Sequence, residues 1–319
     1  MPSKASILSM SALNKVLYRV PNMPRQVDLM FTNLCNLDCK MCPKYFFKLK
    51  EKHMTFALFK KIADRLSGVE QISFIGYGEP LLNPDFFKSV EYGKKKGFKI
   101  TAVSNGYMLG TRKVFDNLVK SDIDAIRFSI ETVKEEDVGG HVGSKKVLEN
   151  IEKLKKEWIR LGKKNKVIIN TVVYKETHRN IIPIIEWAEK AGLDMVDIAH
   201  FNKLGAKIES VMELEKELRL YEKIEKRGFA IPVATLYDRY KGIRKMAFRF
   251  MKKCPMAFDD VHIDIEGGIS PCICGLPTTI FGNVLKDDLK QVWNSEKFRQ
   301  FRNNQEKICE KCTLFKLYS

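Results

Sequence analysis

The segment VDLMFTNLCNLDCKMCP, residues 27–43, joins a short apolar run to three cysteines. The run VDLMF, residues 27–31, predicts a buried β-strand. Cys35, Cys39 and Cys42 follow it with the spacing C-x3-C-x2-C. Three thiolates on one loop can ligate three irons of a cubane and leave the fourth iron open to another ligand. Zinc is the alternative, although a structural zinc site usually takes four ligands and would need the fourth from elsewhere.

Five further strand-like segments follow, and helix-like segments separate them. The strand candidates are near-continuous apolar runs, as in parallel strands that are buried on both faces. The segments between them show the 3.6-residue period of amphipathic helices. Six strands alternating with helices predict a parallel α/β array, either an open doubly wound sheet or an incomplete barrel. The strand candidates are 72–76, 99–103, 125–130, 167–173 and 195–199, and the helix candidates are 55–66, 84–95, 111–120, 144–161, 180–191 and 207–226.

The sequence pattern changes after Gly228. Segment 254–283 predicts a hairpin, VHIDI–EGG–ISPCIC, in which Gly267 and Gly268 supply the turn. A helical piece at 287–301 and a closing pair of cysteines follow. The predicted parts are a basic N-terminal extension at 1–26, a core at 27–227 and a small cysteine-held domain at 228–319.

The second cysteine group lies entirely in this last part. Cys254, Gly267 and Cys272 fit C-x12-G-x4-C, and Cys309 and Cys312 form C-x2-C. Four thiolates that converge from a hairpin and a terminal loop can close a tetrahedral zinc site or ligate a 4Fe–4S cluster fully. Ligand chemistry alone leaves both metals open at this site.

The distribution of the eight cysteines excludes a disulfide scaffold, which would spread its cysteines through a short secreted chain. Two tight groups in a chain of 319 residues are typical of metal sites. The N-terminal residues show no secretory signal, and no apolar run is long enough to span a membrane. We therefore expect a reducing compartment, the cytoplasm, and no transmembrane segment.

The stretch TNLCNLDCKMCP, residues 32–43, resembles the signature loop of the radical S-adenosylmethionine superfamily in spacing and in its position after the first strand. The resemblance implies an incomplete (β/α)6 barrel with a small C-terminal domain. It also implies a 4Fe–4S cluster on Cys35, Cys39 and Cys42 whose open iron is chelated by S-adenosylmethionine. The residue before the last cysteine, usually aromatic in the family, is Met41 here and is expected near the adenine.

The resemblance extends to the carboxyl ends of the next three strands, where ligands bind in α/β folds. The segments are GYGEP, SNG and SIE. Each could alone be ordinary turn chemistry, but here all three follow the cysteine loop in the family's order. The resemblance assigns Gly78, Glu79 and Pro80 to the cofactor's amino group, Ser104 and Asn105 to the region of the ribose, and Ser129 and Glu131 to the cofactor or substrate.

The C-terminal part resembles the twitch module of the SPASM/twitch subgroup. It has Gly-Asn at 282–283, the Trp-containing segment QVWNSEKF and the closing C-x2-C. A full SPASM module has more cysteines, so the resemblance implies one auxiliary 4Fe–4S cluster on Cys254, Cys272, Cys309 and Cys312. Cys274 is left over, as a passive thiol, an alternative ligand or a hydrogen-atom donor to a substrate radical.

The resemblance implies that a reductant such as flavodoxin or ferredoxin drives cleavage of S-adenosylmethionine to a 5′-deoxyadenosyl radical, which abstracts hydrogen from a substrate. We predict dehydrogenation or biosynthetic modification of a small molecule, with the auxiliary cluster aiding oxidation or substrate binding. A peptide or protein maturase of the crosslinking, epimerising or formylglycine type is the alternative. A zinc-binding nucleic-acid module is the alternative of another class.

The formal net charge of +17 bears on the partner. Basic residues are concentrated in 1–26 and 239–253. Such segments favour an anionic small molecule, peptide or lipid surface as substrate. A solvated lysine-rich surface is the alternative.

Overall fold

A computed structural model describes residues 20–47, 49–203, 211–235, 252–273 and 279–316. Cys274, most of the basic extension and nearly all of segment 239–253 lie outside these residues, so the predictions made for them are not followed further.

A ten-stranded sheet, in the order β12-β11-β10-β1-β2-β3-β4-β7-β8-β9, forms the centre of the molecule. The strands from β1 to β4 and from β7 to β9 run parallel, and β5 and β6 form a separate hairpin. The sheet does not close, which agrees with the predicted incomplete barrel. The strands are β1 (Gln26–Leu29), β2 (Gln71–Phe74), β3 (Lys99–Ser104), β4 (Ala125–Ser129), β5 (Asp137–Val138), β6 (His141–Val142), β7 (Lys166–Val173), β8 (Met195–His200), β9 (Val233–Thr235), β10 (Asp260–Ile263), β11 (Gly268–Ser270) and β12 (Gly282–Asn283).

The helices of the core follow the predicted segments closely. Thr55 caps the helix Phe56–Ala63, because its side chain accepts a hydrogen bond from the Leu58 amide. Within the described ranges, none of the helices has the length and apolar character needed to cross a bilayer. The helices are α1 (Lys44–Phe47), α2 (Phe56–Ala63), α3 (Phe86–Lys95), α4 (Arg112–Lys120), α5 (Lys145–Arg160), α6 (Ile181–Lys190), α7 (Leu214–Arg227), α8 (Met256–Asp259), α9 (Leu289–Trp293), α10 (Glu296–Asn303), α11 (Gln305–Ile308) and α12 (Thr313–Lys316).

One face of the sheet packs on these helices. Phe74 of β2 meets Phe59 of α2 with ring centroids 5.6 Å apart, and both side chains are fully buried. A buried phenylalanine contributes on the order of 1.5–3 kcal/mol through the hydrophobic effect. This layer is the main hydrophobic core.

The other face of the parallel strands carries polar side chains, which corrects the expectation of strands apolar on both faces. Gln71 donates through its side-chain amide to the Gln26 side chain (2.7 Å). Arg127 of β4 donates to Asp197 of β8 (2.6 Å). Because successive side chains of a strand alternate between faces, these residues line the concave side of the sheet.

The C-terminal hairpin continues the core sheet. Its first strand, β10, pairs in parallel with β1, with Gln26 opposite Asp260. At the far end of the sheet, β9 pairs with β8 although it lies beyond the predicted boundary at residue 228. The boundary between the two predicted parts stays a prediction, and the two parts share one sheet.

Candidate active site and auxiliary cysteine site

The first cysteine loop leaves β1 and is held at its base by the side chains of Thr32 and Asn33. The Asn33 side chain donates to the Lys50 carbonyl (2.8 Å) and accepts from the Lys52 amide (2.6 Å). Within the loop, the Cys42 amide donates to the Cys39 carbonyl (3.0 Å). These bonds close a compact loop, in which the thiols of Cys35 and Cys42 lie near that of Cys39.

The three thiols of this loop are free, half-buried and close enough to affect one another. Burial, together with the neighbouring Cys35 and Cys42 thiols, raises the pKa of Cys39 to about 12. Burial likewise raises the pKa of Cys35 and of Cys42. Raised pKa values keep these thiols protonated at neutral pH, and a bound metal would deprotonate its sulfur ligands.

Gly78 brings the second strand's loop against the cysteine loop. A Cβ atom at this position would lie 2.5 Å from the Thr32 carbonyl oxygen and 2.6 Å from the Leu34 carbonyl oxygen. The next residue, Glu79, donates its backbone amide to the Leu34 carbonyl (2.8 Å). Only glycine allows this backbone approach, so the Gly-Glu-Pro segment and the cysteine loop form one unit.

The Glu79 carboxylate is fully buried and connects two strand ends. It accepts from the amides of Leu81 (2.9 Å) and Asn105 (2.7 Å). Burial raises the pKa of Glu79 to about 7, while bonds from these amides and from the Ser104 hydroxyl act in the opposite direction. Pro80, also buried, begins a short 3-10 turn that Glu79 caps.

Asn105 lies directly against the cysteine loop. Its side-chain amide donates to the Asn36 side chain (2.8 Å) and faces the Cys35 sulfur at 3.9 Å. The Ser104 hydroxyl accepts from the Gly106 amide (3.0 Å) and bonds to the Glu79 carboxylate. Asn105 therefore reaches the first cysteine site directly, whereas Ser104 acts through Glu79.

Ser129 is the last residue of β4, and Glu131 follows that strand. Ser129 is half-buried at the end of β4, opposite Asn170 of β7. Glu131 is buried and accepts from the Val172 amide (3.0 Å). Burial raises the pKa of Glu131 to about 8, so its carboxyl group is largely protonated at neutral pH.

An apolar cluster closes this side of the site. Val138, Tyr174 and Phe201 form it, and Met41 of the cysteine loop packs against it. Tyr174 and Phe201 have ring centroids 5.4 Å apart. Met41 thus packs against this apolar cluster, and its proximity to adenine stays a prediction.

The second cysteine site is assembled around a buried glutamine that sequence reasoning did not find. Gln305 accepts from the Cys254 amide (2.9 Å) and donates to the Cys254 carbonyl (3.2 Å). Its own carbonyl accepts from the Cys309 amide (2.7 Å). Burial raises the pKa of Cys254 well above its usual value, and the Cys272, Cys312 and Cys309 thiols act in the same direction. The four predicted cysteines therefore come together.

Arg302 is the central residue of the packing beneath this site. Its guanidinium donates to the Ala257 carbonyl (2.8 Å) and the Trp293 carbonyl (3.1 Å). It also lies 4.2 Å from the Trp293 ring centroid and 5.0 Å from that of Phe298. Burial lowers the pKa of Arg302 to about 10.

The segment after β8 connects the two cysteine sites. Phe201 belongs to the apolar cluster at Met41, and the Cys312 sulfur faces the Asn202 side chain at 3.9 Å. Thr313 donates its hydroxyl to the Phe201 carbonyl (2.7 Å). Both sites therefore lie at the carboxyl end of the parallel strands.

The donors present fit iron–sulfur clusters. In the part of the chain that the structure describes, no three His, Cys, Asp or Glu side chains are grouped as a single metal ion would need. A cubane does not need such a grouping, since each of its cysteines ligates a different iron. Three thiols in one loop, and the Cys254 thiol with its three cysteine neighbours, match one cluster with an open iron and one that is fully ligated.

Comparison with known proteins agrees with this fold and with two iron–sulfur clusters. The Radical SAM superfamily matches residues 29–188, and an iron-sulfur cluster-binding domain called SPASM matches residues 254–313. The chain therefore belongs to the radical SAM superfamily and is an enzyme. Its cofactors are a 4Fe–4S cluster with S-adenosylmethionine and an auxiliary iron–sulfur cluster, which replace the zinc alternatives.

Three relatives show how widely this architecture is used. The chain is 27% identical over 299 residues to a tungsten-containing aldehyde ferredoxin oxidoreductase cofactor-modifying protein of Pyrococcus furiosus, covering 86% of this chain and 82% of that one. It is 23% identical to an AdoMet-dependent heme synthase of Methanosarcina barkeri, covering 89% and 86%. SuiB of Streptococcus suis, solved with S-adenosylmethionine, superposes with a TM-score of 0.73 at 20% identity, covering 96% and 74%.

Sequence reasoning missed the acidic residues on the concave face, Asp28 and Asp197. Asp28 of β1 lies 3.4 Å from the His262 ring of β10 and is 5% exposed. Arg127 and Asp197 pair across the same face. The signal was present, because each of the runs VDLMF, AIRFSI and MVDIA has one charged residue among apolar ones. His200, at the end of β8, points to α7, where its Nδ1 lies 2.6 Å from a Glu217 oxygen.

Proposed function

We propose that this enzyme modifies an anionic small molecule, with the first cysteine loop holding the cluster that binds S-adenosylmethionine and the second site holding an auxiliary 4Fe–4S cluster. One observation carries the proposal: the segment Phe201–Asn202 contacts both cysteine sites, which places them at one end of the sheet. A substrate between them would face both clusters. The two relatives named for cofactor modification and heme synthesis support a small-molecule substrate.

The chain's own residues define what it contributes to such a reaction. When bound, the first cluster and S-adenosylmethionine supply one-electron chemistry that removes a hydrogen atom from a C–H bond. Cys35, Cys39 and Cys42 would hold that cluster, and Asn105 would donate a hydrogen bond towards the Cys35 sulfur. The apolar cluster around Tyr174 excludes water from this side. The auxiliary cluster would accept an electron or hold the substrate.

The charged pair on the concave face is positioned to bind a polar substrate. Arg127 and Asp197 are half-buried and bonded to each other at 2.6 Å. Ser129 lies two residues beyond Arg127 on the same face of β4. A substrate carboxylate or phosphate could compete with Asp197 for the guanidinium, whose fork geometry suits such groups.

A basic cavity of about 440 Å³ supports an anionic substrate. It lies between α7 and the loop after β7, and its floor is formed by the nearly buried Met212 and Leu220. Lys216 pairs with Glu213, the N-cap residue of α7, and Arg219 pairs with Glu215 of that helix, so part of the charge is compensated. The residues that line the cavity are Lys175, His178, Met212, Glu213, Lys216, Arg219, Leu220 and Lys223.

Charge reversal in this cavity tests the anionic part of the proposal. The double variant Lys216→Glu and Lys223→Glu should raise the KM of the substrate about tenfold or more at low salt, and less at high salt. Lys226→Glu is the matched control, since Lys226 is exposed on the same helix but does not line the cavity. Equal KM values in the two variants would remove the cavity from the proposal.

Peptide modification is the second candidate, and the spacing of two lysines in the cavity favours it. Lys216 and Lys223 are seven residues apart on α7, or about 10 Å along the helix axis, which suits an extended chain with several carboxylates. SuiB has also been solved with its precursor peptide. Turnover with acidic peptides but not with phosphorylated small molecules would favour this candidate over the first.

The test of the whole proposal is anaerobic reconstitution followed by product analysis. The protein should bind about eight irons as two cubanes and release 5′-deoxyadenosine when reductant and S-adenosylmethionine are supplied. A preparation with stoichiometric zinc and trace iron would contradict it.

A further inference from the structure

The hairpin formed by β5 and β6 inserts its turn between the first cysteine loop and the core. Its two turn residues, Gly139 and Gly140, have φ values of +62° and +84°. Consecutive left-handed residues make the tight turn that matches the twist of a two-residue hairpin. The Gly140 amide donates to the Asp137 side chain (2.6 Å), which fixes the turn from within.

The turn meets the backbone of the cysteine loop directly. The Gly139 carbonyl accepts from the Lys40 amide (2.7 Å), and the Gly140 carbonyl lies 3.7 Å from the Cys39 sulfur. A Cβ atom on Gly140 would lie 2.3 Å from the Asp38 carbonyl oxygen. No side chain fits at Gly140 without moving either the turn or the loop.

The opposite side of the turn rests on the core. A Cβ atom on Gly139 would be 3.3 Å from the Tyr174 hydroxyl, and Val138 packs with Tyr174 in the apolar cluster. At the base of the hairpin, the Gly143 amide donates to the Glu136 carbonyl (2.7 Å). The Asn180 side chain donates to the Glu136 side chain (3.2 Å) at the same place. The hairpin is thus fixed at its base and at its turn.

We propose that this hairpin is a clamp that holds the first cysteine loop in its cluster-binding conformation before the cluster is present, with Gly140 as the positioning residue that makes the contact possible. The proposal rests on the assignment of Cys35, Cys39 and Cys42 as ligands. A free loop would have to be ordered when iron binds, and an ordered loop presents its thiols in place. The hairpin acts on the middle cysteine, whose two backbone neighbours, Asp38 and Lys40, it touches.

Three glycine-to-alanine variants test the clamp in the metal-free protein. Gly140→Ala should accelerate amide hydrogen exchange at Lys40 about tenfold or more, because it strains a left-handed residue and closes on Asp38. Gly139→Ala should give a smaller effect, since its contact is looser. Gly97→Ala is the matched control, with φ at +90° and nothing within 4 Å of the added atom. If Gly140→Ala does not fold, the exchange rate at Lys40 is compared between Gly139→Ala and Gly97→Ala, and equal rates would overturn the clamp.

Reconstitution gives the second readout. Gly140→Ala should lower bound iron from about eight towards about four and alter the spectrum of the first cluster, while that of the auxiliary cluster stays unchanged as an internal reference. Unchanged exchange at Lys40 together with unchanged iron would overturn the clamp. A Cys39→Ala protein that keeps all its iron and an unchanged spectrum would refute the assignment of the ligands. That outcome would leave the clamp testable, because hydrogen exchange is measured in the metal-free protein.

Discussion

Replacing Glu79 by glutamine should change the stability of the metal-free protein in a way that depends on pH. The carboxylate is 2% exposed and accepts amides from Leu81 and Asn105. Glutamine has the same shape but carries an NH2 group in place of one carboxylate oxygen. A side-chain N–H donor then faces one of these backbone N–H donors. Such a mismatch costs about 1–3 kcal/mol at a buried position at any pH.

Ionisation adds a second effect of opposite sign. Burial raises the pKa of Glu79 from 4.5 to about 7, so the folded state holds this proton more tightly than the unfolded state does. The stability it contributes is fully present below pH 4.5 and is lost as pH rises to 7. At about 1.4 kcal/mol per pKa unit, roughly 3 kcal/mol is lost in all, and about 2 kcal/mol of it between pH 5.5 and pH 8. Glutamine escapes this loss.

Urea unfolding of the metal-free proteins at pH 5.5 and pH 8 measures both effects. Relative to wild type, Glu79→Gln should be less stable at pH 5.5 and should gain about 2 kcal/mol on going to pH 8. Glu131 titrates in both proteins, so its contribution cancels in the difference. Glu70→Gln, at an exposed acid paired with Arg25, should show no such gain. A stability difference for Glu79→Gln that is the same at both pH values would refute the reasoning.

Three further predictions concern the cysteine sites. Replacing all three cysteines of the first loop by alanine should leave about four of about eight irons, as counted by a colorimetric iron assay. Replacing Cys309 and Cys312 by alanine should abolish product but leave some cleavage of S-adenosylmethionine; native product formation by the folded variant would make the second site structural. Arg302→Met should destabilise the protein by about 2–4 kcal/mol in denaturant, because two buried carbonyls lose a charged donor and the aromatic stack loses its cation. An equally stable Arg302→Met protein would contradict that role.

The parallel core could be predicted because its strands are apolar enough to be recognised locally. Segment 167–173 became β7 at Lys166–Val173, and 195–199 became β8 at Met195–His200. The resemblance also brought the correct loops to the first cysteine site, since strand ends of a parallel sheet meet at one edge. What each of those residues binds stays a prediction.

The parts that escaped prediction depend on contacts between distant segments. The strands of the clamp hairpin are two residues each, too short to show an alternating pattern. In the sequence, Gln305 is one polar residue among several. Only the fold brings it to Cys254, which lies 51 residues earlier. β9 was missed for the same reason, because three residues carry too little signal without their partner β8.

The pairing of β10 with β1 has a consequence for how the enzyme can be divided. A protein truncated before β10 would lose the neighbour that covers one side of β1, the strand that leads into the first cysteine loop. The exposed row of backbone N–H and C=O groups is then a template for pairing with another chain. Shortened forms should therefore self-associate rather than survive as a minimal catalytic core. An exchange of C-terminal domains between relatives should therefore preserve the register of this pairing, in which position 260 lies opposite Gln26.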